Sequence, residues 1–434
     1  MFNLSLHSLN DEFCIKNGEV ISAESFVGLV STISAYLITQ PDRVVLSFQD
    51  SYYFSAAVLA AMASEKKVII LPNNQKGTLE KFRAEYDSVL NDALVMNLPM
   101  GDALLEHFIS PDASLVFFTS GSSGESKKVE KRFENFFAEV LELEATFRPR
   151  VNDSFIFSTV SHQHIYGFLF KVLWPTCMQR TWFASSMEYP EQITETAKQV
   201  SAFTLISTPA FLKRNSPVEK SIQNCQAVFS SGGLLSFEAA TMTQQIYGVA
   251  PIEVYGSTES GGVGYRERVT DDQDWQTFSV VNISKNENDQ LIVESPYIDE
   301  GSLAMGDRVE FTTNGFKLLG RVDDVVKIED KRVSLSEMNA RLLSSGFIKE
   351  AISIALEESG RQQVASVVVL SLAGEKLLHE KGSRALVNEI RTYLKNYFEA
   401  VVVPKKFRIL DKLPYNEQSK LVKSELIGYF HEHG

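Results

Sequence analysis

The apolar positions of the chain fall into short blocks set apart by longer mixed segments. The blocks at 43–47 and 67–71 read as strands, and the apolar segment 54–64 between them is long enough for a crossover helix, which predicts a parallel βαβ unit. The run 114–118 is apolar after its opening serine and reads as a buried strand. The same alternation returns downstream: a strand at 155–159, a helix from about Tyr166, and strands at 203–206 and 227–230. This pattern predicts an α/β fold with parallel sheets for the larger part of the chain. Near the C-terminus, 364–370 reads as a strand and 384–397 as an amphipathic helix, as in a small α+β domain.

A chain of 434 residues can hold one large and one small domain, each with its own core. The formal charge of −13 argues against non-specific nucleic-acid binding. From Asp324 onward there are 17 Lys and Arg against 15 Asp and Glu, a net of +2, whereas the preceding part carries 25 against 40, a net of −15. A shift of this kind often separates two folded units, so the expected division is 1–321 and 322–434. No apolar run approaches the ~18 residues of a membrane span, and the first ten residues lack the layout of a signal peptide, so a cytoplasmic location is expected. Cys14, Cys177 and Cys225 form neither a CxxC pair nor a metal spacing and are expected to be reduced structural thiols.

The block at 114–118 runs into Thr119-Ser120-Gly121-Ser122-Ser123-Gly124-Glu125-Ser126-Lys127. A small-residue loop at the end of a buried strand is suited to phosphate. Gly121 and Gly124 let backbone amides turn inward, the hydroxyls of Thr119, Ser120, Ser122 and Ser123 add donors without bulk, and Lys127 brings positive charge. A flexible Ser/Gly surface loop has the same composition. A Walker loop does not fit, because Ser126 stands where that motif needs its second glycine.

The order Thr-Ser-Gly-Ser-Ser-Gly-x-x-Lys directly after an apolar strand resembles the ATP-phosphate loop of the adenylate-forming superfamily: acyl-CoA synthetases, aryl-acid and acyl-carrier-protein ligases, and peptide-synthetase adenylation domains. Further matches follow in that family's order as far as Lys420, leaving out only an N-terminal region shorter than in most relatives. Val254-Tyr255-Gly256-Ser257-Thr258-Glu259 resembles the family's Tyr-Gly-x-Thr-Glu. The resemblance implies that the Tyr255 ring stacks on adenine beside Gly256, that the Thr258 hydroxyl meets the α-phosphate, and that Glu259 ligates magnesium. A surface turn with an exposed glutamate is the plainer alternative.

Ser231-Gly232-Gly233 follows a strand and resembles the loop passing under adenine and beside the acyl group, although many strand-to-helix turns look alike. His164-Ile165-Tyr166-Gly167 resembles the acyl-pocket segment, which implies that His164, Tyr166 and Gly167 line the pocket with Ser231 and Gly262. A capping loop with hydrogen-bonded histidines is the alternative. Amino-acid-activating relatives place an Asp here to hold the substrate ammonium. Residues 161–167 contain no carboxylate, so an amino acid is a poor candidate. Asp307, in Met305-Gly306-Asp307-Arg308 ahead of a short strand, resembles the carboxylate that takes both ribose hydroxyls; Arg321 is implied beside it, and Asp323 is the implied hinge. Ser334 or Ser336 is expected to cap the next helix. Leu413-Pro414-Tyr415-Asn416-Glu417-Gln418-Ser419-Lys420 resembles the loop Pro-x-x-x-x-Gly-Lys, which implies Lys420 as the catalytic lysine, with Lys423 the neighbouring alternative. Two residues depart from the pattern. Asp330 and Ser419 both replace glycines, the former on a strand that lines the thiol tunnel in relatives.

The activity implied is a carboxylate:thiol ligase using ATP and Mg2+, catalytic through Lys420, Thr258, Glu259 and Lys127, with a small C-terminal domain that moves between half-reactions. The acceptor implied is the phosphopantetheine of an acyl carrier protein, with free coenzyme A or a non-catalytic adenylate-binding module as alternatives. Residues 161–167 and the short N-terminal region resemble ligases of aryl-polyene-type clusters, which implies an aryl acid, and a fatty acid is the other carboxylic acid considered.

Overall fold

The structure is a computed structural model and describes residues 2–3, 12–99, 108–120, 126–151, 153–215, 221–287, 289–321, 325–328, 331–358, 361–415, 421 and 423–431. The chain divides into two compact units. The first takes nearly all of the chain up to Ile283 together with Val293–Leu303, and the second takes Ser284–Ile292 and Ala304–Gly434.

The first unit is α/β and contains two sheets. In the five-stranded sheet the order is Ser88–Asn91, Arg43–Ser47, Lys67–Ile70, Ser114–Ser120 and Ser126–Arg132. The first four are parallel and the last is antiparallel. The expected βαβ unit is present, with Val44 opposite Val68 and the helix Ser51–Ala63 crossing between the strands. That helix starts where Asp50 accepts the Tyr52 N–H at 2.8 Å, and it is buried on nearly every side, which fits its run of Ala, Phe, Val and Leu.

The nine-stranded sheet has a parallel centre, with Ile252–Ser257, Cys225–Ser230, Phe203–Ser207, Phe155–Ser158, Trp182–Phe183 and Glu12–Lys16 side by side. Antiparallel strands flank both ends. The helix Phe133–Val151 ties the sheets together: Phe136 meets Phe117 of one sheet at 5.9 Å, and Phe147 meets Phe229 of the other at 4.9 Å. These residues recur at helical spacing, so one apolar stripe serves both contacts. The helix expected from about Tyr166 is composite, with a turn at Ile165–Gly167, a π-helical segment at Phe168–Leu173 and a last turn at Trp174–Cys177.

Further along the chain is a four-stranded sheet of Asn282–Lys285, Gln290–Glu294, Ser302–Thr312 and Gly315–Arg321. It is followed by the hairpin Val325–Ile328 and Lys331–Ser334. A three-stranded sheet of Ile348–Glu358, Arg361–Leu370 and Lys406–Ile409 then carries two cores. Val364, Val368 and Leu370 belong to one, and Ala365, Val367 and Val369 to the other, as the two-residue period of a strand requires. Ser334 is the helix cap, accepting the Glu337 N–H at 3.2 Å. The helix expected at 384–397 runs instead over Leu372–Leu394 and is broken at Gly382, whose φ of 81° no helix accommodates. Asp307 also differs from expectation: it lies inside the strand Ser302–Thr312 rather than ahead of a strand.

All three cysteines are free, and burial pushes the Cys14 and Cys225 thiols up to about 12. Among the described residues no helix is long and apolar enough to cross a membrane.

Candidate active site

The strand Ser114–Ser120 ends on Thr119 and Ser120, and the chain returns antiparallel with Thr119 opposite Lys127 and Ser120 opposite Ser126. Gly121, Ser122, Ser123 and Gly124 lie outside the described residues. Lys127, on the return strand, reaches Glu259 with its Nζ 2.9 Å from Oε1. Burial raises the Glu259 carboxyl, but the Lys127 ammonium and the Ser257 hydroxyl hold it below its ordinary value on balance. Two residues matched to separate motifs therefore meet within the first unit.

Glu259 sits at the tip of the hairpin formed by Ile252–Ser257 and Gly261–Glu267. The tip is tied by reciprocal serine bonds. Ser257 N–H donates to Ser260 Oγ at 3.0 Å, and Ser260 N–H donates to Ser257 Oγ at 3.1 Å, so Thr258 and Glu259 are held between them. Neither serine was singled out from sequence, although a Ser-x-x-Ser spanning a tight turn is the signal that marks them. Gly256 is required by close approach, since a Cβ there would lie 2.1 Å from the Gly261 carbonyl oxygen. Tyr255 is half-buried, with its ring 5.7 Å from that of Trp275. Gly262 is buried. It donates its N–H to Glu139 at 2.6 Å, and a Cβ on it would meet Phe278 and Glu139, so packing already accounts for this glycine.

The loop after Cys225–Ser230 is pinned to the neighbouring strand at two points. Ser231 Oγ donates to the Val254 carbonyl at 2.9 Å, and Leu235 N–H donates to Glu253 Oε1 at 2.9 Å. Between them Gly232 turns with φ of 86°, and Gly233 lies against Pro209. Glu253, buried and paired with Arg266 at 2.7 Å, is a second residue missed from sequence, because a charged side chain in a strand reads as surface.

Among the residues at 161–167, His162 bonds to distant chain. Its Nε2 lies 3.1 Å from the Phe48 carbonyl oxygen and its Nδ1 2.9 Å from Ser51 Oγ. A carbonyl only accepts, so Nε2 carries the proton and Nδ1 accepts from the serine. Burial, with the Lys171 charge nearby, pushes this imidazole down to about 3, and the Phe48 bond opposes the shift without reversing it. His164 opens the turn Ile165–Gly167 and is partly buried. The Tyr166 ring packs on Phe170 at 4.8 Å, and burial pushes its phenol well above the ordinary range. Gly167 is fixed by contact, because a Cβ there would lie 2.0 Å from the Ser161 carbonyl oxygen.

In the second unit Asp307 and Arg321 are cross-strand partners, with Arg321 Nη1 3.9 Å from Asp307 Oδ2. Gly306 makes room for the guanidinium, since its Cβ would lie 2.5 Å from Arg321 Nη2. Asp323, Asp330, Ser419 and Lys420 lie outside the described residues. Tyr415 forms an isolated antiparallel bridge with Leu421, and its hydroxyl donates to Glu350 Oε2 at 3.2 Å. Lys423 opens the last helix, Lys423–His431.

Among the described residues there is no group of three His, Cys, Asp or Glu that could hold a metal ion. One ionised carboxylate, Glu259, suits a magnesium ion whose remaining ligands are phosphate oxygens and water, which is how that ion is usually held beside a nucleotide.

A sequence-family model described as "AMP-binding enzyme" matches residues 31–294. The chain is 23% identical over 349 residues to the 4-coumarate–CoA ligase of Cereibacter sphaeroides, covering 77% of this chain and 78% of that protein. It is 21% identical over 386 residues to the D-alanine–D-alanyl carrier protein ligase of Staphylococcus aureus, covering 80% and 75%. Against a plipastatin synthase polypeptide of Bacillus subtilis it is 28% identical over 239 residues, 54% of this chain, but spans only 8% of that protein. The fold matches ATP-bound MatB from Rhodopseudomonas palustris with a TM-score of 0.81 at 17% identity, covering 98% of this chain and 97% of the other.

Proposed function

The chain belongs to the AMP-binding enzyme family, and from that premise we propose that it is an ATP-dependent carboxylate:thiol ligase working through an acyl-adenylate. The observation that carries this reading is the 2.9 Å pair of Lys127 and Glu259, which joins the phosphate-loop strand to the tip of the Tyr-Gly-x-Thr-Glu hairpin. With MgATP present the two would part, Lys127 turning to polyphosphate oxygens and Glu259 to the metal. Tyr255 would stack on adenine over the Gly232–Gly233 turn, and Asp307 with Arg321 would take the ribose.

The substrate carboxylate attacks the α-phosphorus and pyrophosphate leaves into the loop at 119–124. Bound magnesium supplies charge neutralisation at the phosphates. Catalysis is then mostly positioning and electrostatics: Thr258 donates to the α-phosphate, and Lys420 bridges it to the incoming carboxylate. Rotation about Asp323 removes Lys420 and opens the acyl-adenylate to a pantetheine thiol.

The acid is proposed to be aryl, such as a hydroxybenzoate or hydroxycinnamate, next to Tyr166 and His164. The absence of a carboxylate from 161–167 and the similarity to a 4-coumarate–CoA ligase support this. The acceptor is proposed to be a carrier protein; the relatives include ligases named for both coenzyme A and a carrier protein, so free coenzyme A is the second reading. Pyrophosphate release across a panel of carboxylic acids tests the first half-reaction. Binding of MgATP with no release for any acid overturns the ligase reading in favour of a non-catalytic module. Efficient transfer of the best acid to free coenzyme A overturns the carrier proposal.

A further inference from the structure

The helix Phe133–Val151 carries a buried polar row beside its apolar stripe. Asn135, Glu139 and Glu142 stand four and three residues apart and so share one helical face. Each of them bonds main chain from elsewhere in the first unit. Asn135 Nδ2 donates to the Pro296 carbonyl at 3.1 Å. Glu139 Oε1 accepts the Gly262 N–H at 2.6 Å. Glu142 accepts the Ser279 N–H at 2.6 Å and the Ser279 hydroxyl at 2.8 Å.

The two carboxylates meet neighbouring strands at the same level. Gly261–Glu267 runs antiparallel to Gln276–Thr277 with Gly264 opposite Thr277, and one step on, the Phe278 N–H donates to the Val263 carbonyl at 3.3 Å. The next step brings Gly262 opposite Ser279, the two residues whose N–H groups turn to the helix. Gly262 also lies at the bulge of the hairpin, whose register passes from Tyr255–Gly264 to Gly256–Gly262 and skips Val263. A Cβ on Gly261 would lie 2.9 Å from Glu139 Oε2, so this carboxylate bears on the first two residues after the turn that carries Thr258 and Glu259. A buried carboxylate is tolerated where hydrogen bonds replace water, and a buried N–H without an acceptor is destabilising, so each group holds the other in place.

We propose that Glu139 is a positioning residue of the adenylating site: with Glu142 one turn away, it seats Gly262 on the helix and so fixes the height of the turn that presents Glu259 to Lys127 and to magnesium. Its task is to accept a hydrogen bond at a set reach from the helix, which an amide of equal length also does. The inference rests on the adenylating reading above.

The test compares Glu139→Gln, Glu139→Asp and Glu139→Leu in the full chain, read as affinity for MgATP and for AMP by calorimetry, with Tm reporting the fold. Glu139→Gln keeps both acceptor and length and is expected to bind MgATP within about threefold of wild type. Glu139→Asp keeps the charge but falls short by one methylene, and Glu139→Leu removes the acceptor. Each of these two is expected to weaken MgATP by about tenfold or more and AMP by no more than about twofold, because AMP does not call on the metal ligand. Should Glu139→Leu fail to fold, the contrast between Glu139→Gln and Glu139→Asp decides. Equal losses for MgATP and AMP, Glu139→Gln as weak as Glu139→Asp, or Glu139→Asp equal to wild type overturns the positioning role alone. Wild-type protein that binds no MgATP overturns the adenylating reading and the role with it.

Discussion

At the scale of single residues the site is a set of charges whose partners lie far away in sequence. Glu259 is the clearest case, being ionised, paired with Lys127 and placed at a turn. Glu259→Gln keeps the shape of the side chain and removes the charge, so pyrophosphate release at saturating magnesium should fall on the order of 100-fold. A loss of less than about threefold would take Glu259 out of the metal-binding role. His162 makes a different prediction. Its imidazole is lowered from the ordinary 6.5 to about 3, so the unfolded chain binds the proton more readily between those values. The stability this neutral histidine supplies is complete above pH 6.5 and drains away as pH falls toward 3. Denaturant melts at pH 7, 6, 5 and 4 should therefore show a shallower fall for His162→Gln than for wild type, and parallel curves would contradict the assignment.

At the scale of elements, glycines and small polar residues decide where the hairpins turn. Gly256→Ala would drive a Cβ to 2.1 Å from the Gly261 carbonyl, a backbone atom that cannot swing aside. The bulge must shift, at an expected cost of about 1–3 kcal/mol in denaturant unfolding, with a loss of MgATP affinity because the tip moves with it. Unchanged stability would mean that the bulge relaxes freely. What sequence could reveal also sorts by element. The strands Arg43–Ser47, Lys67–Ile70 and Phe203–Ser207 were legible because parallel strands covered on both faces read as apolar runs. The motifs around Lys127 and Glu259 were legible as contiguous words, but their pairing was not, since nothing local records a contact across 132 positions. Lys131, Glu139, Glu253 and the fully buried Lys171 were missed because charged side chains read as solvent-facing until their surroundings are known. The first half of Leu372–Leu394 was missed because its polar residues and Gly382 obscure the helical period.

At the scale of the whole molecule the proposal assigns different work to different parts of the chain. Lys127, Glu259 and the adenine contacts belong to the first unit, and the ribose pair and Lys420 to the second. Lys420→Ala should abolish pyrophosphate release from acid and MgATP yet leave thioester formation from supplied acyl-adenylate within a few-fold of wild type. Equal loss in both half-reactions would refute the division of labour. The three-stranded sheet of the second unit bears on this in another way. Its strand Arg361–Leu370 is covered on one face by Leu386, Ile390 and Leu394 and on the other by Leu413, Leu426 and Phe430. Both faces of this sheet are thus covered by residues of the same unit. On the reading proposed above, a tail transplanted from one relative to another would bring its lysine while the recipient kept its choice of acid.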